Sequence, residues 1–175
     1  SGAIYSLGLN SSSSRESLAR NIVGSPDFND WYAFSKLDTE LKHRKHSNLC
    51  IVDIRIFNYF SHTQNINSHF FITEILNSIR NNNTLIASPN EIYRDYLNRF
   101  DLFQLVRKIL EHHDTNQGID AYSLAPISKT SLLIEMANRY GLKYKYSPYS
   151  SNSTFNPKAN YFSTNKSVGS LITSC

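Results

Sequence analysis

Two adjoining stretches restrict the fold more than anything else in the chain. From Phe28 to His46, apolar or aromatic side chains recur at Trp31, Phe34, Leu37 and Leu41, close to helical spacing. Asp27 and Asp30 lie on its N-terminal side, and Lys and Arg on its C-terminal side, as the helix dipole favours. After a short link comes Leu49-Cys50-Ile51-Val52-Asp53-Ile54-Arg55-Ile56-Phe57, β-branched and mostly apolar. Such a run after a helix reads as a buried parallel strand.

The alternation continues downstream. A second helix is expected over His69–Asn82, with Phe70, Ile72, Ile75, Leu76 and Ile79 on its apolar side. Thr84–Ala87 reads as a short strand, Ser88-Pro89-Asn90 as a turn and Ile92–Leu97 as extended. A third helix is expected over Phe100–His113, with Leu102, Leu105, Val106, Ile109 and Leu110 inward. Asn116-Gln117-Gly118 reads as a turn and Ala121–Ala125 as a strand. Ser128 is placed to N-cap a fourth helix, Lys129–Tyr140, which Gly141 ends. Leu7–Asp30 reads as a long loop with a serine run, Ser11–Ser14, and after Lys145 no period is legible. Strand–helix alternation makes the chain α/β. The convincing sheet strands are nevertheless few for a doubly wound domain standing alone.

Composition narrows the class. The chain has 175 residues, 40% of them hydrophobic and 13% aromatic, so it can build one packed core. A net charge of +4 is mild, and the positive residues are scattered. The densest group, Lys42-His43-Arg44-Lys45-His46, reads as a wet helix end rather than a nucleic-acid surface. Cys50 and Cys175 have neither metal-ligand spacing nor the look of a disulfide framework, which makes a reducing cytoplasm the default. Cys50 lies in the apolar run and is expected to pack as a small core residue. No stretch has the apolar length needed to cross a bilayer, and no signal peptide is legible at Ser1–Tyr5. No metal, nucleic-acid or membrane partner is expected.

Tyr32 and Lys36 stand four residues apart, so on a helix they project side by side. A free phenol ionises near pH 10, too high for a base at neutral pH. A fixed ammonium nearby favours the phenolate, and general acid–base catalysis works best near the operating pH. The spacing therefore has a chemical rationale. Tyrosine occurs eleven times, however, and on these residues alone an ordinary amphipathic helix is the stronger explanation of the pair.

The surrounding order adds to the pair. Ser1-Gly2-Ala3-Ile4-Tyr5-Ser6 precedes it by one loop, and a strand ending Arg55-Ile56-Phe57-Asn58 follows. Phe70-Phe71-Ile72, then Tyr93-Arg94-Asp95-Tyr96 with Asp101-Leu102, then Ala121–Ser128 continue the series. This order, over about residues 1–145, resembles the extended short-chain dehydrogenase/reductase family, specifically the NAD-dependent nucleotide-sugar epimerase/dehydratase group.

The resemblance implies the C-terminal half of a Rossmann-like doubly wound parallel sheet plus a small α/β substrate-binding subdomain. Residues 1–58 and 98–125 would belong to the dinucleotide side, and 59–97 and 126–175 to the substrate side. Tyr32 would exchange a proton with a sugar hydroxyl. Lys36 would tune Tyr32 and, with it, hold the nicotinamide ribose of NAD or NADP. Ser1 would hydrogen-bond the reacting oxygen. Asn58 would touch the nucleotide sugar and Arg94 its diphosphate, although a turn asparagine and an ion-paired arginine fit those residues as well. Arg55 would brace the fold. A homodimer through the Tyr32–Lys36 helix is a further implication.

Departures from the pattern matter. The glycine-rich turn Gly-x-x-Gly-x-x-Gly, which cradles a dinucleotide pyrophosphate, occurs nowhere in the chain. The expectation is therefore a fragment that binds the dinucleotide poorly and turns over little by itself. Gly2 and Ala3 stand where dehydratases of the group carry Asp-Glu, which leaves redox chemistry at one carbon, as in a 4-epimerase or a keto-sugar reductase. The usual Tyr-Gly-Pro after the strand reads Tyr59-Phe60-Ser61 here. The competing expectation is a non-enzymatic remnant of the fold kept as a binding or interaction module. A third, a basic nucleic-acid binder, needs a contiguous positive face.

Overall fold

The computed structural model describes residues 2–4, 31–111, 116–148 and 160–163. Ser1, the expected loop from Leu7 to Asp30, and Cys175 lie outside them. After a single 3-10 turn at Gly2–Ile4, the helices are α1 (Trp31–Lys45), α2 (Phe71–Arg80), α3 (Arg99–Glu111) and α4 (Lys129–Tyr140). The strands in chain order are β1 (Val52–Ile56), β2 (Asn58–Phe60), β3 (Thr84–Ala87), β4 (Tyr93–Arg94), β5 (Tyr96–Asn98), β6 (Gln117–Ala121), β7 (Ile127–Ser128), β8 (Lys143–Tyr146) and β9 (Asn160–Tyr161). The fold is α/β with mostly parallel pairing: β1 with β6, β2 with β5, and β3 with β8. Strand β4 pairs antiparallel with β7 and parallel with β9.

Strand β1 reads Val-Asp-Ile-Arg-Ile, and its two-residue period separates two different faces. Val52, Ile54 and Ile56 pack with Ile119 and Ala121 of β6 and Leu105 of α3 in one apolar core. Asp53 and Arg55 point the other way, toward α1. The strand is thus not apolar on both faces, as the sequence suggested. Its charged face docks α1 through ion pairs. Arg55 reaches Glu40 at 2.7 Å and Asp120 at 3.3 Å, with all three side chains buried. His43 Nδ1 lies 2.8 Å from Asp53, and the Arg44 guanidinium donates to the same carboxylate at 2.5 Å. Two members of the basic run 42–46 are thereby tied into the fold.

This arrangement corrects several expectations. Glu40 is the buried residue of α1, while Trp31, Phe34 and Leu41 face solvent. Gln117 and Gly118 are strand residues, not a turn, because the Arg55 guanidinium crosses where a side chain at 118 would stand. A Cβ on Gly118 would meet Arg55 Cζ and Glu40 Oε2, each at 2.9 Å. Strand β6 accordingly ends at Ala121, where the expected strand began. Beyond it, the Ser123 amide turns onto the buried Asp95 carboxylate, 3.0 Å away. Cys50 is exposed rather than packed in the core, since β1 starts only at Val52. Phe70 and Leu110, expected on apolar faces, are also exposed.

The second core lies under α2 and α4. Ile72 and Ile75 of α2 meet Leu132 and Leu133 of α4 against Leu85, Ala87 and Leu142. The local signals for α4 hold: the Ser128 hydroxyl accepts from the Ser131 amide, and Gly141 closes the helix at φ 69°. Strand β8 is not among the strands expected from the sequence, and β9 lies where no period is legible.

Candidate functional site

A cleft of about 810 Å³ opens between α1, the C-terminal end of β1 and β2. Its lining includes Ala3, Tyr32, Lys36, Asn58, Phe57 and Tyr161. The mouth forms at the end of a parallel strand, where α/β sheets present their ligand sites. Local rules put two of these side chains together, since α1 carries Tyr32 and Lys36 one turn apart on one face. The Lys36 ammonium lies 5.5 Å from the centre of the Tyr32 ring, within cation–π range. Tyr32 remains 57% exposed, so its phenol is open to a ligand in the cleft.

Asn58 reaches the cleft from the first residue of β2. Its side-chain amide donates to the Asp95 carbonyl at 3.0 Å, which fixes the side chain while it lines the cavity. Asp95 in turn holds the Ser123 amide, so β5, β2 and the exit from β6 are tied at one point. Gly2 is buried against Phe57: a Cβ there would lie 2.7 Å from the Phe57 ring. The space that an acidic side chain would need at this position is therefore filled by an aromatic ring.

Arg94 lies elsewhere. It is on β4 and borders a smaller void with Phe71, Tyr96, Ile127 and Lys129. Burial lowers the pKa of its guanidinium, and the nearby Tyr96 and Tyr161 phenols offset this only in part. Tyr161 is the cross-strand partner of Arg94 and also lines the main cleft. Of the expected site residues, Tyr32, Lys36 and Asn58 share one cleft. Arg94 borders the neighbouring space, and Ser1 falls outside the described residues. Sequence reasoning passed over Phe57 and Tyr161. Phe57 read as the end of an apolar strand, and no periodic signal marks Tyr161.

No protein-family model and no curated protein matches the sequence. Solved structures do match in fold. The UDP-glucuronic acid 4-epimerase from Bacillus cereus, in complex with UDP-glucuronic acid and NAD, is similar with a TM-score of 0.69 at 14% identity. That match covers 97% of this chain and 52% of the epimerase. The UDP-N-acetylglucosamine 4-epimerase from Methanobrevibacter ruminantium M1, in complex with UDP-N-acetylmuramic acid, gives 0.64 at 19% identity, over 80% of this chain and 46% of its own. The UDP-N-acetylglucosamine 4-epimerase from Bacillus cereus gives 0.59 at 18% identity, over 87% and 51%. The chain spans about half the length of the structures it matches. These neighbours are Rossmann-fold nucleotide-sugar epimerases, and the fold expected from the sequence is the fold found.

Proposed function

We propose that the chain is the C-terminal part of an NAD(P)-dependent nucleotide-sugar epimerase or keto-sugar reductase of the extended short-chain dehydrogenase/reductase family. The observation that carries this reading is the convergence of Tyr32, Lys36 and Asn58 on one cleft at the end of β1. The fold shared with sugar-nucleotide epimerases supports it.

In this reading Tyr32 exchanges a proton with a sugar hydroxyl, and its exposure leaves the phenol accessible to that oxygen. Lys36 keeps a positive charge beside the phenol and, with Tyr32, holds the nicotinamide ribose. Ser1 supplies a hydrogen bond to the reacting oxygen. Asn58 contacts the nucleotide sugar, and Arg94 takes the diphosphate with its planar guanidinium. Only the nicotinamide end of a dinucleotide fits residues of this chain, because no glycine-rich turn is present for the pyrophosphate. When bound, the nicotinamide supplies hydride transfer at the sugar carbon. The filled space at Gly2 favours chemistry at one carbon over water elimination.

The division into a dinucleotide side (1–58, 98–125) and a substrate side (59–97, 126–175) has support in the two cores. One gathers β1, β6 and α3, and the other α2, α4 and β3. Trp31, Phe34 and Leu41 give α1 an apolar outer face, which supports a homodimer through that helix.

The test joins this chain to a glycine-rich dinucleotide-binding half and measures UDP-sugar turnover with NAD. Tyr32→Phe is expected to lower kcat by about 10²-fold or more, as loss of a general acid–base does. Unchanged turnover in Tyr32→Phe would sink the assignment. An ability to bind nucleotide sugars without any turnover would favour the second reading, a binding module kept on the same scaffold.

A further inference from the structure

Strand β9 is short, yet it is held at both ends of its reach. Its backbone pairs with β4 in the register Tyr93↔Asn160 and Arg94↔Tyr161. Two residues on, the Ser163 hydroxyl donates to Asp120 Oδ2 at 2.5 Å, with Ser163 and Asp120 1% and 0% exposed. Asp120 is itself gripped by Arg55. A buried hydroxyl–carboxylate bond of this kind fixes the segment firmly, since breaking it strands a charge-bearing acceptor away from water.

The residue carried between these anchors is Tyr161. Its ring meets Phe57 edge to face, 5.2 Å between centroids at 62°. Phe57 is in turn backed by Gly2 and packs with Ile4, with Leu37 alongside. Tyr161 is half-buried and lines the cleft that also holds Tyr32, Lys36 and Asn58. Tyr161 therefore forms an aromatic wall of the cleft, braced from behind by Phe57, which is buried and meets it edge to face.

We propose that Tyr161 is a substrate-contacting residue, and that the Tyr161 wall receives the pyranose ring of a nucleotide sugar rather than its nucleotide. This rests on the nucleotide-sugar reading above. An aromatic ring offers an apolar face to the C–H side of a sugar while its phenol stays polar. The wall lies beside Tyr32, where the reacting sugar must sit. Arg94, the candidate for the diphosphate, is the cross-strand partner of Tyr161 on the adjacent strand.

The experiment uses the full chain and titrates UDP-glucose and UDP separately, with affinities from calorimetry or saturation-transfer NMR. Tyr161→Ala and Tyr161→Leu are each expected to weaken UDP-glucose about three- to tenfold, the scale of one aromatic contact, and to leave UDP within about twofold. Tyr161→Phe keeps the ring and is expected to stay near wild type. Leu guards against a variant that simply fails to fold. If wild type binds UDP-glucose and neither substitution changes its affinity, or if UDP weakens equally, the wall proposal fails and the functional reading stands. If wild type binds neither ligand, the wall proposal falls, while the functional reading is decided by turnover of the joined protein.

Discussion

The Arg55 guanidinium on β1 grips the Glu40 carboxylate on α1 at 2.7 Å, with both side chains out of water. The helix that carries Tyr32 and Lys36 is therefore seated on the sheet by charge as well as by apolar contact. Asp120 completes the cluster from the neighbouring strand. A buried pair adds little net stability when intact, but removing one member leaves the others uncompensated.

Arg55→Ala would leave Glu40 and Asp120 as two buried carboxylates without their shared cation. The expected loss is about 3–5 kcal/mol in unfolding free energy. Urea denaturation followed by circular dichroism measures it, and a loss near zero would show that α1 is held by other contacts.

Gly118→Ala places a methyl group against the Arg55 guanidinium and Glu40. Overpacking of this kind costs about 1–3 kcal/mol. Gly141→Ala is the comparison: the surroundings are open there, but φ is 69°, so the expected cost of about 1 kcal/mol comes from the backbone alone. The two variants differ in prognosis because only the first should recover when Arg55 is also shortened to Ala. A thermodynamic cycle over Gly118 and Arg55 checks this.

Glu91 gives a pH signature. Burial pushes its carboxyl pKa up, but the Thr130 hydroxyl and amide, the Ile92 amide and the Lys129 charge outweigh that and leave it below its ordinary value of 4.5. A carboxyl with a depressed folded pKa contributes stability that is present above its unfolded pKa. That contribution disappears as pH falls through the folded value. Thermal unfolding of wild type is thus expected to lose ground to Glu91→Gln as pH drops below about 4.5. Parallel curves for the two proteins would refute the assignment.

Ser128→Ala removes the hydroxyl that caps α4 through the Ser131 amide. The expected cost is about 1 kcal/mol, read as a shift of the denaturation midpoint. Ser128→Asp should restore most of it, because a carboxylate also accepts that bond and suits the helix N-terminus.

Features that depend on near neighbours are legible along the chain. Ser128 and Gly141 bracket α4 because a cap and a left-handed terminator act within a few residues. The extent of β3 and the side-by-side placement of Tyr32 and Lys36 follow from strand propensity and helical pitch. Features that depend on distant partners become visible only in the folded chain. Gly118 looks like a turn residue until Arg55, brought beside it by the β1–β6 pairing, takes the space above its backbone. Tyr161 carries no periodic signal, and only the bridge to Arg94 and the Ser163–Asp120 bond bring it to Phe57. Local backbone geometry is written in consecutive residues, whereas a buried charge or a cleft wall exists only once remote strands have paired.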